Sequence, residues 1–303
     1  MTGRPFIKAL LIDISGTLQI GSTPTPRAVE AINRLRESNV PFRLCSNSSK
    51  ESTASLVKKL NGMGFDFVTD ITAAGKKEVW TSIGSVAQTV KDRGLKRPYM
   101  LLSNSAREEV SPPEPEPVGD AVQYDGVIVG LAPALFDYNH LNTAFRILKG
   151  EDGGSSRREV PLIATHKAKY IQKDEPPGLS LGPGPFVTAL EEAAGCKAYV
   201  VGKPTKTFFQ LVMGDFSSAE VGESDGRIAV IGDDVEADLG GGALELGLWR
   251  ILVKTGKYRP GDVLRPGVRQ PDEVHEDFAS FVDSLLLSQD RTHSYEDDSQ
   301  ACK

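Results

Sequence analysis

The sequence predicts an α/β protein: a doubly wound parallel sheet interrupted by a smaller, inserted α/β unit. Three observations carry that prediction. Short apolar runs alternate with amphipathic stretches at both ends of the chain, the pattern of strands covered on both faces by helices. The apolar runs before residues 13, 46, 203 and 233 each give way to a polar residue. Between residues 75 and 197 the texture changes, with Pro-rich and Gly/Ser-rich interruptions, and the first texture then returns.

Residues 6–14 read as a buried strand. TPRAVEAINRLRE (25–37) sets Val29, Ile32 and Leu35 on one helical face, with Pro26 suited to the first turn. PFRLCS (41–46) reads as a second strand, and SKESTASLVKKLNGMG (49–64) as a helix that Gly62 or Gly64 ends. Within the insertion, YMLLSN (99–104), DGVIVGL (125–131) and PLIATH (161–166) are strand-like, while YNHLNTAFRILK (138–149) and GPFVTALEEAAG (184–195) are helical. SPPEPEPVGD (111–120) is too Pro-rich for an interior element and GEDGGSSRRE (150–159) is a polar insertion, so both read as exposed loops. Strand character resumes at AYVVGKP (198–204), RIAVIGDD (227–234) and WRILVKTG (249–256), with helices at 205–216 and 277–287. The expected organisation is a core of residues 1–74 and 198–288, an inserted unit of 75–197, and a disordered polar tail of 289–303.

Of the 303 residues, 39% are hydrophobic and 25% charged, enough for two domains of ordinary size. A formal charge of −6 argues against a nucleic-acid partner, since phosphate backbones need basic surface. Cys45, Cys196 and Cys302 are widely spaced and odd in number, which suits a reducing compartment better than a disulfide framework. No apolar run is long enough for a membrane span, and the N-terminal residues lack a signal-peptide core. The expected location is cytoplasmic or nuclear, with no membrane partner.

In open α/β sheets, ligands bind beyond the carboxyl ends of the strands. Four such ends carry polar groups here: Asp13 with Ser15, Ser46 with Asn47, Lys203, and Asp233 with Asp234. Each alone is ordinary turn or capping chemistry; the order and the repeated strand context make them one candidate site. P-loop, H-E-x-x-H and G-x-S-x-G patterns are absent. LGPGPF (181–186) lacks G-x-G-x-x-G and reads as a turn before a helix, placed to face the active site.

DISGT (13–17), Ser46 in LCSN, Lys203 in VVGKP and GDDVEAD (232–238) together resemble the haloacid dehalogenase superfamily of phosphohydrolases. The usual motifs of that superfamily are D-x-D-G-T, a strand-end Ser or Thr, a Lys, and G-D-D or G-D-x-x-x-D. The resemblance extends to about residue 288 and implies a HAD-like, Rossmannoid core. It also implies that the insertion is a C2-type cap, through which relatives often dimerise. Serine in the second acidic position is similar to two branches, the haloacid dehalogenase-like hydrolase domain-containing protein 2 group and the phospholysine phosphohistidine inorganic pyrophosphate phosphatases. VGLAPALFDYNHLNTAFRIL, PLIATHKAKYIQKD and ILVKTGKYR look closer to the first.

The resemblance implies roles residue by residue. Asp13 is the nucleophile, forming an aspartyl-phosphate that water hydrolyses. Asp13, Asp233 and the Ser15 carbonyl hold Mg²⁺. Ser46, with the main chain of Ile14 and Ser15, holds the phosphate, Asn47 orients it and Lys203 offsets its charge. Asp234 and Asp238 support the metal waters or orient Lys203. In the cap, His166 and Lys167 are possible contacts to a small phosphorylated substrate, a solvated loop being an equal reading.

The usual second Asp protonates the leaving oxygen and later activates water, help typically worth about 100- to 10,000-fold. The hydroxyl of Ser15 cannot do this near neutral pH. Binding and metal should survive, and substrates needing little protonation should suffer least: aryl phosphates, pyrophosphate, acyl phosphates and phosphoramidates. The alternative is a catalytically weak phosphate-binding or interaction protein on the same fold.

Overall fold

A computed structural model of the chain describes residues 3–68, 77–111, 123–151, 159–174, 176–222 and 225–288. The Pro-rich segment 112–120, most of the 150–159 insertion and the tail 289–303 lie outside the described residues. In chain order the strands are β1 (Ile7–Asp13), β2 (Gln19–Ile20), β3 (Thr23–Pro24), β4 (Phe42–Ser46) and β5 (Val79–Thr81). Then come β6 (Pro98–Leu101), β7 (Gly126–Val129), β8 (Leu162–Ala164), β9 (Tyr170–Asp174), β10 (Pro177–Leu181) and β11 (Tyr199–Val200). The last are β12 (Arg227–Gly232), β13 (Trp249–Val253) and β14 (Glu273–His275).

The core is a six-stranded parallel sheet in the order β14-β13-β12-β1-β4-β5. Strand β1 is nearly all buried, and its side chains alternate between two apolar layers because successive strand residues face opposite ways. Leu10 and Ile12 pack with the helix α1 (Ala28–Glu37), the helix α2 (Thr53–Gly62) and the closing helical segment 278–288. Ala9 and Leu11 pack on the opposite face with Phe208, Phe209 and Val212. Helix α1 begins at Ala28 with Pro26 just ahead of it, and Ser52 caps α2 by accepting from the Ser55 N–H. Leu44, fully buried in the first layer, is a position where truncation to Ala would cost about 2–5 kcal/mol.

The inserted unit has its own four-stranded parallel sheet, ordered β11-β8-β7-β6, with apolar clusters on both faces. One cluster gathers Ile128 and Ile163 with Ile83 and Val86, and the other Val127 and Val129 with Ile147 and Val187. This is the cap expected from the sequence. The chain changes sheets later than expected at both crossings. Val79–Thr81 pairs with β4 in the core sheet, and Tyr199–Val200 pairs with β8 in the cap sheet. Both strands are short and lie beside a crossing, so neither announces itself by hydrophobic periodicity. The 82–92 helix, β14 and the antiparallel β9–β10 hairpin were also not evident from the sequence. Among the described residues, no helix is long and apolar enough to cross a membrane.

Candidate active site

Strands β1, β12 and β4 are neighbours near the centre of the core sheet, and chain direction across the sheet reverses around β1. Their carboxyl ends therefore deliver Asp13, Asp233 and Ser46 to one place. Lys203 arrives differently, three residues after β11, as the chain leaves the cap sheet. A cleft of ≈ 480 Å³ opens there, lined by Asp13, Ser15, Ser46, Asn47, Lys203 and Asp238 from the core side. The cap contributes Leu131, His166 and the Ile171–Lys173 segment of β9. The hairpin β2–β3 and its turn supply Gln19 to Ser22.

The charged groups form a buried network. The Lys203 ammonium donates to Asp13 Oδ1 at 2.5 Å and to Asp238 Oδ1 at 2.6 Å. All of these side chains are nearly closed to solvent, Lys203 at 1% exposure. Burial alone would make Lys203 less basic, but Asp13 and Asp238 outweigh it and hold the ammonium charged. Burial and the nearby Asp238 push the Asp13 carboxyl up to about 6, against the pull of Lys203. Burial likewise raises Asp233 well above the ordinary carboxylate range. Asp238 also accepts from the Asp234 N–H at 3.2 Å. Thr17 donates its hydroxyl to Asp13 Oδ2 at 3.2 Å.

A divalent cation fits this arrangement on three observations. Asp13, Asp233 and Asp238 each offer a carboxylate oxygen within 4.8 Å of the others. Asp233 Oδ1 is buried without a partner, an arrangement that is rare unless something binds there. Among the described residues, four carboxylates, those of Asp13, Asp233, Asp234 and Asp238, face two ammonium groups, those of Lys203 and Lys257. Hard oxygen donors of this kind suit Mg²⁺ or Ca²⁺.

Lys257 is the main residue that sequence reasoning missed. Its N–H donates to Asp233 Oδ2 at 2.6 Å and its ammonium lies 3.3 Å from Asp234 Oδ2. Burial opposes its charge, but Asp233 and Asp234 outweigh it. The signal was available: WRILVKTGK is another apolar strand with a polar end on the same edge of the sheet. Gly256 and Gly16 make the close approach possible. A Cβ on Gly16 would stand 1.9 Å from Asp233 Oδ2, and one on Gly256 would stand 2.1 Å from the same atom. Both glycines have positive φ, 99° and 52°, so an L side chain there is strained as well as crowded.

The other expected residues divide. Ser15 lines the cleft and is exposed. The Ile14 side chain is fully buried in the core, leaving only its main chain near the site. Asn47 accepts from Lys203 N and donates to Lys203 O, both at 2.9 Å, so its carboxamide fixes the lysine's main chain. The Asp234 carboxylate accepts from the N–H groups of Glu236 and Ala237 and faces Lys257. His166 lines the cleft, but Lys167 turns away to an ion pair with Glu191 at 2.5 Å. The Gly182 and Gly184 turn of LGPGPF packs on the main chain of Lys167 and Ala168 and does not line the cleft.

His166 Nδ1 accepts from the Ala168 N–H at 3.3 Å, which leaves the proton on Nε2, 3.3 Å from Ser49 Oγ. Ser49 also accepts from the Leu131 N–H at 3.0 Å, so one serine of the core loop ties down two cap segments. Burial, with Lys257 and Lys203 nearby, pushes His166 down to about 3. It is neutral at physiological pH and is no substitute for the acid absent at Ser15.

The fold and site define a hydrolase of the haloacid dehalogenase type, and the comparisons agree. The pattern described as "Haloacid dehalogenase-like hydrolase" matches residues 10–112, and a second HAD-hydrolase-like pattern matches residues 200–281. The chain is 41% identical over 285 residues to haloacid dehalogenase-like hydrolase domain-containing protein 2 of Homo sapiens, covering 92% of this chain and 96% of the relative. It is 34% identical over 290 residues to the phospholysine phosphohistidine inorganic pyrophosphate phosphatase of Homo sapiens, covering 94% and 96%. The solved 4-nitrophenylphosphatase of Thermotoga maritima superposes with a TM-score of 0.73 at 24% identity, covering 92% of this chain and 97% of that one. The chain belongs to the haloacid dehalogenase-like hydrolase family, as an enzyme of its phosphatase type.

Proposed function

We propose that the protein is a Mg²⁺-dependent phosphohydrolase that works through an aspartyl-phosphate on Asp13, with Ser15 standing where the superfamily's usual acid would be. The observation that carries this reading is the buried Asp13–Lys203–Asp238 network beside the unpartnered Asp233 Oδ1. A chain that only bound partners would have no reason to keep so costly an arrangement of charge.

In this reading an oxygen of Asp13 attacks phosphorus in line with the leaving group. The bond from phosphorus to the leaving atom breaks, and its electron pair departs with that atom. Lys203 neutralises charge on Asp13 and the transferring phosphoryl group, and Asp238 keeps the ammonium aimed at them. The Ser46 hydroxyl accepts from the Ser48 N–H at 3.1 Å, leaving its own proton for a phosphate oxygen. Asn47 serves by fixing Lys203. Asp13 and Asp233, with the main-chain carbonyl of Ser15, would hold the metal, which supplies positive charge against the phosphate oxygens. Water then displaces phosphate from Asp13.

No proton donor stands at Ser15, and neutral His166 does not supply one. Leaving groups that need little protonation are therefore favoured: aryl phosphates, pyrophosphate, acyl phosphates and phosphoramidates. Asp13→Asn should abolish chelator-sensitive phosphate release from an aryl phosphate; equal release by wild type and variant across all these substrate classes would refute the reading. Ser15→Asp should raise turnover of alkyl phosphates more than of pyrophosphate.

A further inference from the structure

The buried network on the cleft floor already answers the charge of a transferring phosphoryl group. Outside that network the cleft is lined by four more charged side chains: Lys50, Glu51, Lys59 and Lys173. Lys50 and Lys59 come from the core, Lys59 on α2, and Lys173 comes from β9 of the cap. Lys50 and Lys173 are exposed and Lys59 is half-buried. Among the described residues, none of these three ammonium groups has an ion pair or a hydrogen bond. The Lys50 main chain is nevertheless held in place, its carbonyl accepting from the hydroxyl of Ser103 in the cap at 2.6 Å. Three cations against one acid make the cleft mouth positive on a chain whose formal charge is −6. Ile20 and Ile171 add apolar surface to the same cleft, whose ≈ 480 Å³ suits a small organic molecule.

We propose that this mouth is a second anion subsite, and that the substrate is a small organic phosphate whose leaving group carries a further phosphate or carboxylate. This deepens the phosphohydrolase reading and rests on it. The scissile phosphoryl group meets Asp13 and Lys203 on the floor, the carbon body lies along the isoleucines, and the second anion faces the lysines. An exposed ammonium keeps its hydration until an anion displaces it, so each lysine adds a modest increment. Three converging on one mouth add up, and they concentrate anions there against the repulsion of the whole chain. A cationic leaving group meets the same charges as repulsion, so the mouth selects by rejection as well as by attraction. Inorganic pyrophosphate supplies the second anion but nothing to cover the isoleucines, which makes an organic substrate the better match.

The test uses four aryl phosphates with Mg²⁺: phenyl phosphate, para-carboxyphenyl phosphate, para-phenylene bisphosphate and para-aminomethylphenyl phosphate. All four leave through a phenol oxygen, so the acid absent at Ser15 weighs on them alike. Wild type should show a higher kcat/KM for the two anionic substrates than for phenyl phosphate, and a lower one for the cationic substrate. In the triple variant Lys50→Gln, Lys59→Gln, Lys173→Gln, the ratio of anionic to neutral kcat/KM should fall roughly 10-fold, mostly through KM, and the cationic substrate should gain. Each ratio is taken within one preparation, so partial misfolding cancels. A fall for both anionic substrates means that the subsite takes either group, and a fall for the bisphosphate alone narrows it to phosphate. If kcat/KM falls by one factor for all four substrates, the lysines only steer the scissile phosphate; if no ratio moves, they are ordinary surface. Either result overturns the inference. Release that survives Asp13→Asn would instead overturn the aspartyl-phosphate reading, whatever the ratios show.

Discussion

The two halves of the cleft are built on different principles. The core half is organised around a buried ionisable network, Asp13, Lys203, Asp238, Asp233 and Lys257, each held by at least one hydrogen bond or ion pair, with the neutral Ser15, Ser46 and Asn47 beside it. The cap half is made of neutral or solvated groups: buried neutral His166, Leu131, half-buried Gln172 and exposed Lys173. Buried charges cannot be moved cheaply, because each depends on its neighbours for compensation. Solvated groups on a two-stranded hairpin can be exchanged with little penalty. The core half therefore fixes the chemistry, and the cap half is where substrate choice is adjustable.

The largest effect should come from removing the cation at the centre of the core half. Lys203→Met leaves Asp13 and Asp238 buried without their shared partner. Turnover should fall by about 1,000-fold or more, and unfolding free energy by about 3 kcal/mol, read by phosphatase assay and urea denaturation. A variant that lost activity but no stability would show that the network is less tightly coupled than its geometry indicates. Next in size is Gly256→Ala. The added methyl would press on Asp233 Oδ2 at a backbone of φ 52°, where strain alone is worth about 1–3 kcal/mol. The metal site should suffer most, so the Mg²⁺ concentration for half-maximal activity should rise at least about 10-fold.

The two halves should also answer pH in opposite directions. His166 has a folded value of about 3 against an ordinary 6.5. Between those values the unfolded chain binds the extra proton, so stability is present in full above 6.5 and is lost as pH falls toward 3. The slope is at most about 1.4 kcal/mol per pH unit. Asp13 runs the other way: its value is raised from 3.8 to about 6, so its contribution falls as pH rises across that window. His166→Asn should flatten the loss between pH 6.5 and pH 5 seen in urea titrations, and an unchanged slope would place the proton elsewhere.

The same division explains what the sequence disclosed. Asp13, Ser46, Lys203 and Asp233 were legible because each follows an apolar run, and a strand end in an α/β sheet has a known destination. Lys257 follows the same rule but hides in a loop whose lysine, taken alone, looks like ordinary surface. The role of Asn47 was not legible, since its partner is main chain 156 residues away. The two readings of Lys167 could not be separated for the same kind of reason: it adjoins a residue of the site, and only the packing shows its ion pair with Glu191. The β9–β10 hairpin left least trace. Half-exposed on both strands and interrupted by Pro and Gly, KYIQKDEPPGLSL has no strong alternation to read.

That hairpin gives the smallest prediction and the sharpest contrast with Lys203. Gln172 Oε1 accepts from Arg259 Nη2 at 3.0 Å, an exposed hydrogen bond that joins the cap to the core across the cleft. Such a bond is worth roughly 0.5–1.5 kcal/mol, so Gln172→Ala should raise KM about 3-fold and leave kcat within about 2-fold. Arg259→Ala should do the same, and the double variant should be no worse than either alone, because both remove one bond. Two additive effects would mean that each residue meets the substrate separately. A fall in kcat would mean that the hairpin helps assemble the core half, and the separation of chemistry from selection would then fail at this joint.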